Sequence, residues 1–242
     1  MTKAERFNRL IRIDEADGGL RARSVRGGLF NAVAEGADFI LRVGSIAILA
    51  RLLVPEHFGL IGMVTAITAI AERFKDLGLS VVTVQREEIS HEQVSALFWV
   101  NAALGLAAGL IVAALAVPIA SFYADERLVY ITLAIALTFV WGGLAIQHQA
   151  ILRRSMKFGQ IATINISASL GSIVIAIVLA ANGFGYWALV AREVARSVLV
   201  AIGTWACCRW VPSLPTRRTG ARAMVSFGGS VTAVQLATHF SM

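Results

Sequence analysis

Asn31, Glu35, Asp38, Arg42 and Ser45 stand 4, 3, 4 and 3 residues apart. That spacing puts them on one stripe of a helix whose other faces are apolar. A charge carried into a bilayer costs roughly 2.5–3.5 kcal/mol, so it persists where it pairs or faces water or substrate. Asp38 and Arg42, at i and i+4, can neutralise each other, and Glu35 is left within reach of neighbouring helices. The stripe reads either as an ion pair that locks helix packing or as the wall of a polar cavity.

Two further groups have the same character. Thr65, Thr68, Glu72 and Lys75 form a second stripe, with Arg73 and Asp76 beside it, near a membrane mouth where long side chains can snorkel to water. Arg192 and Arg196, at i and i+4, present two guanidinium groups on one face, while Glu193 points about 100° away and is expected to offset little of their charge. Guanidinium forks suit phosphate, so either an anionic ligand or an acid such as Glu35, Asp38 or Glu72 is expected opposite them. Arg42, Arg192 and Arg196 are therefore candidates for substrate binding. Glu35, Asp38, Glu72, Lys75 and Asp76 are candidates for coupling or gating. No catalytic or metal set is readable: His57, His91, His148 and His239 lack ligand spacing, and the adjacent Cys207 and Cys208 cannot staple a fold and read as small apolar fillers.

The elements that must hold these residues follow from composition. Of 242 residues, 57% are hydrophobic and only 15% charged, against roughly 25% in soluble domains; the mean hydropathy is +0.71. The fold class is all-α integral membrane. Apolar segments long enough to cross about 30 Å of hydrocarbon run near Leu29–Leu53, Phe58–Val82, Val94–Ile119, Leu128–Ile146, Ile161–Ala181 and Phe184–Cys208. The predicted organisation is a basic cytoplasmic tail over 1–28, a six-helix transmembrane lobe over 29–208, a cytoplasmic linker over 209–224 and a truncated seventh helix over 225–242. In the tail, Ala4, Phe7, Leu10 and Ile11 share one helical face and Lys3, Arg6 and Arg9 another; it reads as a helix laid on anionic lipid or as a solvated tail. Gly105 with Gly109, and Ser167 with Gly171, space small residues for close helix packing, and Asn165, Ser169 and Ser172 are interhelical hydrogen-bond donors in the same reading.

The net charge of +7 records orientation rather than nucleic-acid binding. Fifteen of the 22 Lys/Arg fall in the tail and alternate loops, and the opposite loops hold only Arg51 and Arg127. The positive-inside rule then puts the N-terminus in the cytoplasm and the loops around Pro55, Tyr123 and Asn182 outside. Phe122, Tyr123, Tyr186 and Trp187 form one expected interfacial belt, and Trp99, Trp205 and Trp210 the other.

The run LARLLVPEHFGLIGM from Leu49 to Met63 resembles the A-R-x-L-x-P-x-x-F-G signature of bacterial polysaccharide exporters, the Wzx-type oligosaccharide flippases of the multidrug/oligosaccharidyl-lipid/polysaccharide superfamily. RFKDLGLSVVTVQR from Arg73, SFYAD from Ser121, ILRRSMKF from Ile151 and NGFGYWALVA from Asn182 are similar to that family in the same order. The resemblance implies a transporter that turns undecaprenyl-diphosphate-linked oligosaccharide from the cytoplasmic to the periplasmic leaflet of the bacterial inner membrane. It implies two six-helix lobes around a cavity, no bound cofactor, a proton or sodium gradient as driving force, and a polysaccharide polymerase as neighbour. Glu35 matches an acid of the family's first helix, and Arg51 and Asp76 lie inside matching motifs. Arg192 and Arg196 depart from the pattern, so a binding role for them rests on physics alone. Such transporters are about twice this long, and the expectation is a fragment or a lobe that lacks its C-terminal partner. The alternatives are a drug or small-molecule exporter of the same superfamily, against which the cationic stripes argue, and a membrane polysaccharide polymerase or ligase. The latter needs acids or histidines on a sizeable outer loop, which the short loops do not offer, so no enzyme is expected.

Overall fold

The computed structural model describes residues 20–73, 79–85 and 89–214. Among them the regular elements are helices: α1 (Leu20–Leu52), α2 (Pro55–Arg73), α3 (Leu79–Gln85), α4 (His91–Ala114), α5 (Ala116–Tyr123), α6 (Arg127–Arg154), α7 (Phe158–Ala181) and α8 (Trp187–Cys208). The tail before Leu20, the linker beyond Leu214, the seventh segment, Lys75 and Asp76 all lie outside the described residues.

Element boundaries have local causes. Pro55 opens α2, where its fixed φ suits a first helical residue and its missing N–H costs nothing. Ser90 and Gln93 close a capping box on α4: the Gln93 amide donates to Ser90 Oγ at 3.2 Å and the Ser90 amide donates to Gln93 Oε1 at 3.0 Å. The expected third segment is one span interrupted at Leu115. Pro118 explains the break, because its ring collides with the carbonyl four residues back, at Ala114, and offers it no N–H. Gly183 and Gly185 take φ of +79° and +57° in the α7–α8 turn, a region open to glycine, and Gly185 lies under the His57 ring of α2. The fourth segment continues past Ile146 to Arg154, since Gln147 and His148 are fully buried rather than at a membrane exit.

α6 is the central helix. It packs against α4 and α8, carries α3 and α5, and meets α2, while α1 lies on α7 and α7 on α8. Gly105 of α4 and Gly143 of α6 bring two backbones together: a Cβ on Gly105 would stand 2.6 Å from the Phe139 carbonyl and 2.9 Å from Gly143 Cα. The expected small-residue contact at Gly105 and Gly109 is thus a backbone seam, with Gly143 as its unforeseen partner. Gly171 instead faces the flexible end of a side chain, Leu199 of α8, 2.9 Å from an added Cβ.

Three of the helical stretches, His91–Tyr123, Arg127–Arg154 and Phe158–Ala181, are long and apolar enough to cross a membrane. α1 and α8 have 33 and 22 residues, enough at 1.5 Å each, but carry the charges singled out above. At the end predicted to face outward, Arg127 donates to Glu56 at 2.7 Å and to Asp125 at 2.6 Å, tying the α1–α2 turn to the α5–α6 turn. The hydrogen bonds from Arg127 hold the part-exposed Asp125 carboxyl below its ordinary value.

At the other end the expected aromatic belt is corrected. Trp99 and Trp205 are part-exposed, but Trp210 is 3% exposed. The chain turns at Arg209, in the left-handed region, and residues 210–213 fold back as a strap over α4 and α6. The Trp210 indole donates to His91 Nδ1 at 3.0 Å, His148 Nε2 lies 3.2 Å from the Trp210 carbonyl, and the Ser213 amide donates to Ser95 Oγ at 3.1 Å. Two of the scattered histidines therefore meet around one tryptophan, which a sequence separation of more than fifty residues conceals.

Candidate functional site

The stripe on α1 splits in two. Asp38 and Ser45 are 5% and 2% exposed, whereas Glu35 and Arg42 lie on the exposed side. At 100° per residue, Asp38 and Ser45 differ by about 20°, and Glu35 and Arg42 lie about 40–80° round the helix from them. α7 and α8 cover only the first pair.

Asp38 is the hub. Arg42 Nε donates to its Oδ2 at 2.9 Å, as i, i+4 spacing predicts, and a second Arg42 nitrogen reaches the same oxygen. Arg196 Nη2 of α8 donates to Oδ2 at 3.3 Å, and Ser169 Oγ of α7 donates to Oδ1. Arg196 Nε also donates to Ser169 Oγ at 3.3 Å. Three helices thus meet on one carboxylate whose two oxygens are both satisfied, the condition under which a buried charge is tolerated. The acid expected opposite the α8 arginines is, for Arg196, Asp38. Ser169, one of the expected interhelical donors, supplies the third helix's contact.

Arg192 behaves differently from Arg196. Its Nη1 donates to Ser45 Oγ at 3.1 Å, and its Nη2 donates to Glu193 Oε1 at 2.9 Å. The expectation that Glu193 offsets little is corrected: the two Cβ atoms diverge, but a four-atom arginine stem curls back to the neighbouring carboxylate at a part-exposed position.

A cavity of about 430 Å³ opens between α2, α6 and α8. Thr65, Thr68 and Glu72 line it from α2, Thr138 and Gln149 from α6, and Glu193, Arg196 and Ser197 from α8. The structure therefore joins the second stripe to the α8 charges, with Arg196 bordering both the cavity and the Asp38 hub. Arg42 and Glu35 do not line it. Among the described lining residues one arginine stands beside two glutamates, one of them paired with Arg192, so this part of the wall is not the cationic surface expected from the stripes. Sequence inspection also missed the polar chain beside it: Asn101 donates to Gln147 at 3.2 Å and Gln147 to Thr83 at 2.7 Å, pinning α3 between α4 and α6. Isolated amides in apolar helices were the available signal.

Among the described residues, an all-helical assembly with a buried carboxylate bonded from three helices, beside apolar, membrane-length helices, defines a polytopic membrane protein. Residues 48–242 match the family described as polysaccharide biosynthesis protein, and the chain belongs to that family as a multi-pass membrane protein. It is 28% identical over 161 residues to the lipopolysaccharide biosynthesis protein WzxC of Escherichia coli, covering 66% of this chain and 33% of that one. It is 28% identical over 204 residues to the succinoglycan biosynthesis transport protein ExoT of Rhizobium meliloti, covering 82% and 41%. It is 26% identical over 194 residues to the teichuronic acid biosynthesis protein TuaB of Bacillus subtilis, covering 78% and 40%. The chain thus spans well under half the length of these relatives. No solved structure matches it.

Proposed function

We infer that the chain is one lobe of a transporter that moves lipid-linked oligosaccharide from the cytoplasmic to the outer leaflet of a bacterial inner membrane for polysaccharide export. The observation that carries this reading is Arg196, a guanidinium inside a largely apolar helix that reaches Asp38 on one side and borders a 430 Å³ cavity of mixed lining on the other. A packing lock needs the first contact and not the second. The transport protein among the relatives supports the reading. In it Arg192 and Arg196, with the exposed Arg42 outside the cavity, meet the substrate's diphosphate, which competes with Asp38 for Arg196. Asp38, Glu35 and Glu72 are the acids through which a proton or sodium gradient would act.

Two results are expected. In the full-length transporter that contains this lobe, Arg192→Lys and Arg196→Lys keep the charge and lose the fork, so glycan export falls while membrane abundance stays normal. Export at the parent rate would sink the phosphate role. The distribution of Lys/Arg further supports an N-terminus in the cytoplasm. A cysteine at Ala124 should then react with an impermeant reagent added outside and one at Ser155 should not, and the reverse pattern would invert the topology.

A further inference from the structure

The hydroxyl groups in the cavity have already committed their hydrogens. Thr65 Oγ1 donates to the Ile61 carbonyl at 2.9 Å, Thr68 Oγ1 to Val64 at 3.1 Å, and Thr138 Oγ1 to Ile135 at 2.6 Å. Ser197 Oγ of α8 donates across to the Thr138 carbonyl at 3.1 Å. A hydroxyl with its proton given to a backbone carbonyl offers a neighbour only lone pairs. Glu72 and Glu193, when ionised, are acceptors only. Among the described residues, Arg192 is already paired with Glu193, and the donors that border the cavity are Arg196, partly engaged by Asp38 and Ser169, and the Gln149 amide, which offers both kinds.

An acceptor-rich wall selects its ligand by the ligand's protons. Phosphate at neutral pH is an acceptor crowded with negative charge, and the four hydroxyl groups of this wall, their protons given to backbone carbonyls, offer it lone pairs. A neutral polyol brings a donor on every hydroxyl, and Ile135 and Val200 in the same wall suit the C–H faces of a ring. At about 430 Å³ the cavity is within the roughly 300–1,000 Å³ of small-molecule sites.

We propose that the cavity between α2, α6 and α8 is a subsite for the hydroxyl groups of a neutral sugar and rejects the phosphate part of the same substrate. This rests on the transporter reading above and deepens it by placing the sugar contacts in the cavity and the diphosphate outside it.

The test uses the 242-residue chain in lipid nanodiscs, with saturation-transfer NMR of three probes: cellobiose, inorganic pyrophosphate and tetraphenylphosphonium. Cellobiose should give a saturable signal that pyrophosphate does not displace. Thr138→Val keeps the shape and deletes an acceptor, and Ser197→Ala does so with less disturbance. Each should weaken cellobiose about fivefold, the worth of one hydrogen bond. Thr163→Val deletes an exposed hydroxyl bonded in the same way to the Gly159 carbonyl on α7, away from the cavity, and should change nothing. Absence of a saturable cellobiose signal, or its displacement by pyrophosphate, overturns the subsite. Binding of cellobiose that neither cavity variant weakens overturns it while leaving the transporter reading intact. Displacement of cellobiose by tetraphenylphosphonium, or binding of that cation alone, overturns both and points to an exporter of organic cations.

Discussion

Asp38→Ala should lower the unfolding free energy of the detergent-solubilised protein by about 2–3 kcal/mol, below the roughly 3–5 kcal/mol for breaking a fully buried pair. The discount follows from exposure: the Arg42 and Arg196 side chains are 56% and 34% exposed and recover part of their solvation when Asp38 is gone. Ser169 loses its acceptor on Asp38 in the same variant. Adding Arg196→Met removes the charge left without a partner and should restore part of the loss, since apolar replacements of buried pairs are often neutral. Thermal unfolding of the three proteins measures this. An Asp38→Ala protein with the parent midpoint would show that the hub contributes nothing to stability.

Gly105→Val should cost about 3 kcal/mol, the upper range for overpacking, because the added atoms meet backbone that has no rotamer to change. A Cβ there stands 2.6 Å from the Phe139 carbonyl, and the reciprocal Cβ on Gly143 stands 2.7 Å from the Asn101 carbonyl. Gly36 of α1 and Gly62 of α2 have nothing within 4 Å of an added Cβ. Gly36→Ala and Gly62→Ala should therefore be neutral, or stabilising by up to about 1 kcal/mol through helix propensity. Equal unfolding midpoints for Gly105→Val and Gly62→Ala would contradict the close approach of α4 and α6.

What the sequence revealed about this fold depended on whether the signal was local. The apolar lengths located the helices, and Asp38 with Arg42 was legible because i, i+4 partners share a helix face. That Arg196 would choose Asp38 over Glu35 or Glu72 was not legible, since the choice depends on which flank of α1 meets α7 and α8. The 4, 3, 4, 3 spacing looks like one stripe at low angular resolution and proves to be two. The Arg192–Glu193 pair was not legible because Cβ directions are a poor guide for a side chain as long as arginine. Trp210 was placed in a belt because tryptophans near segment ends usually lie there, whereas a left-handed residue at Arg209 turns it inward. The break at Leu115 had its cause in plain view at Pro118, yet hydropathy alone runs through it without a dip.

The seam between Gly105 and Gly143 also has a mechanical meaning. Contacts between side chains yield as rotamers exchange, but two main chains in van der Waals contact have no such freedom and behave as a nearly incompressible joint. α4 and α6 therefore move as one beam, and α3 is riveted to that beam by Gln147 and Thr83. Of the walls around the cavity, α6 is part of the beam and α8 is packed along both α6 and α7. α2 rests on α6 through the side chains of Leu60 and Val64 against Ile131 and Ile135. The compliant side of the chamber is α2, and it carries Thr65, Thr68 and Glu72.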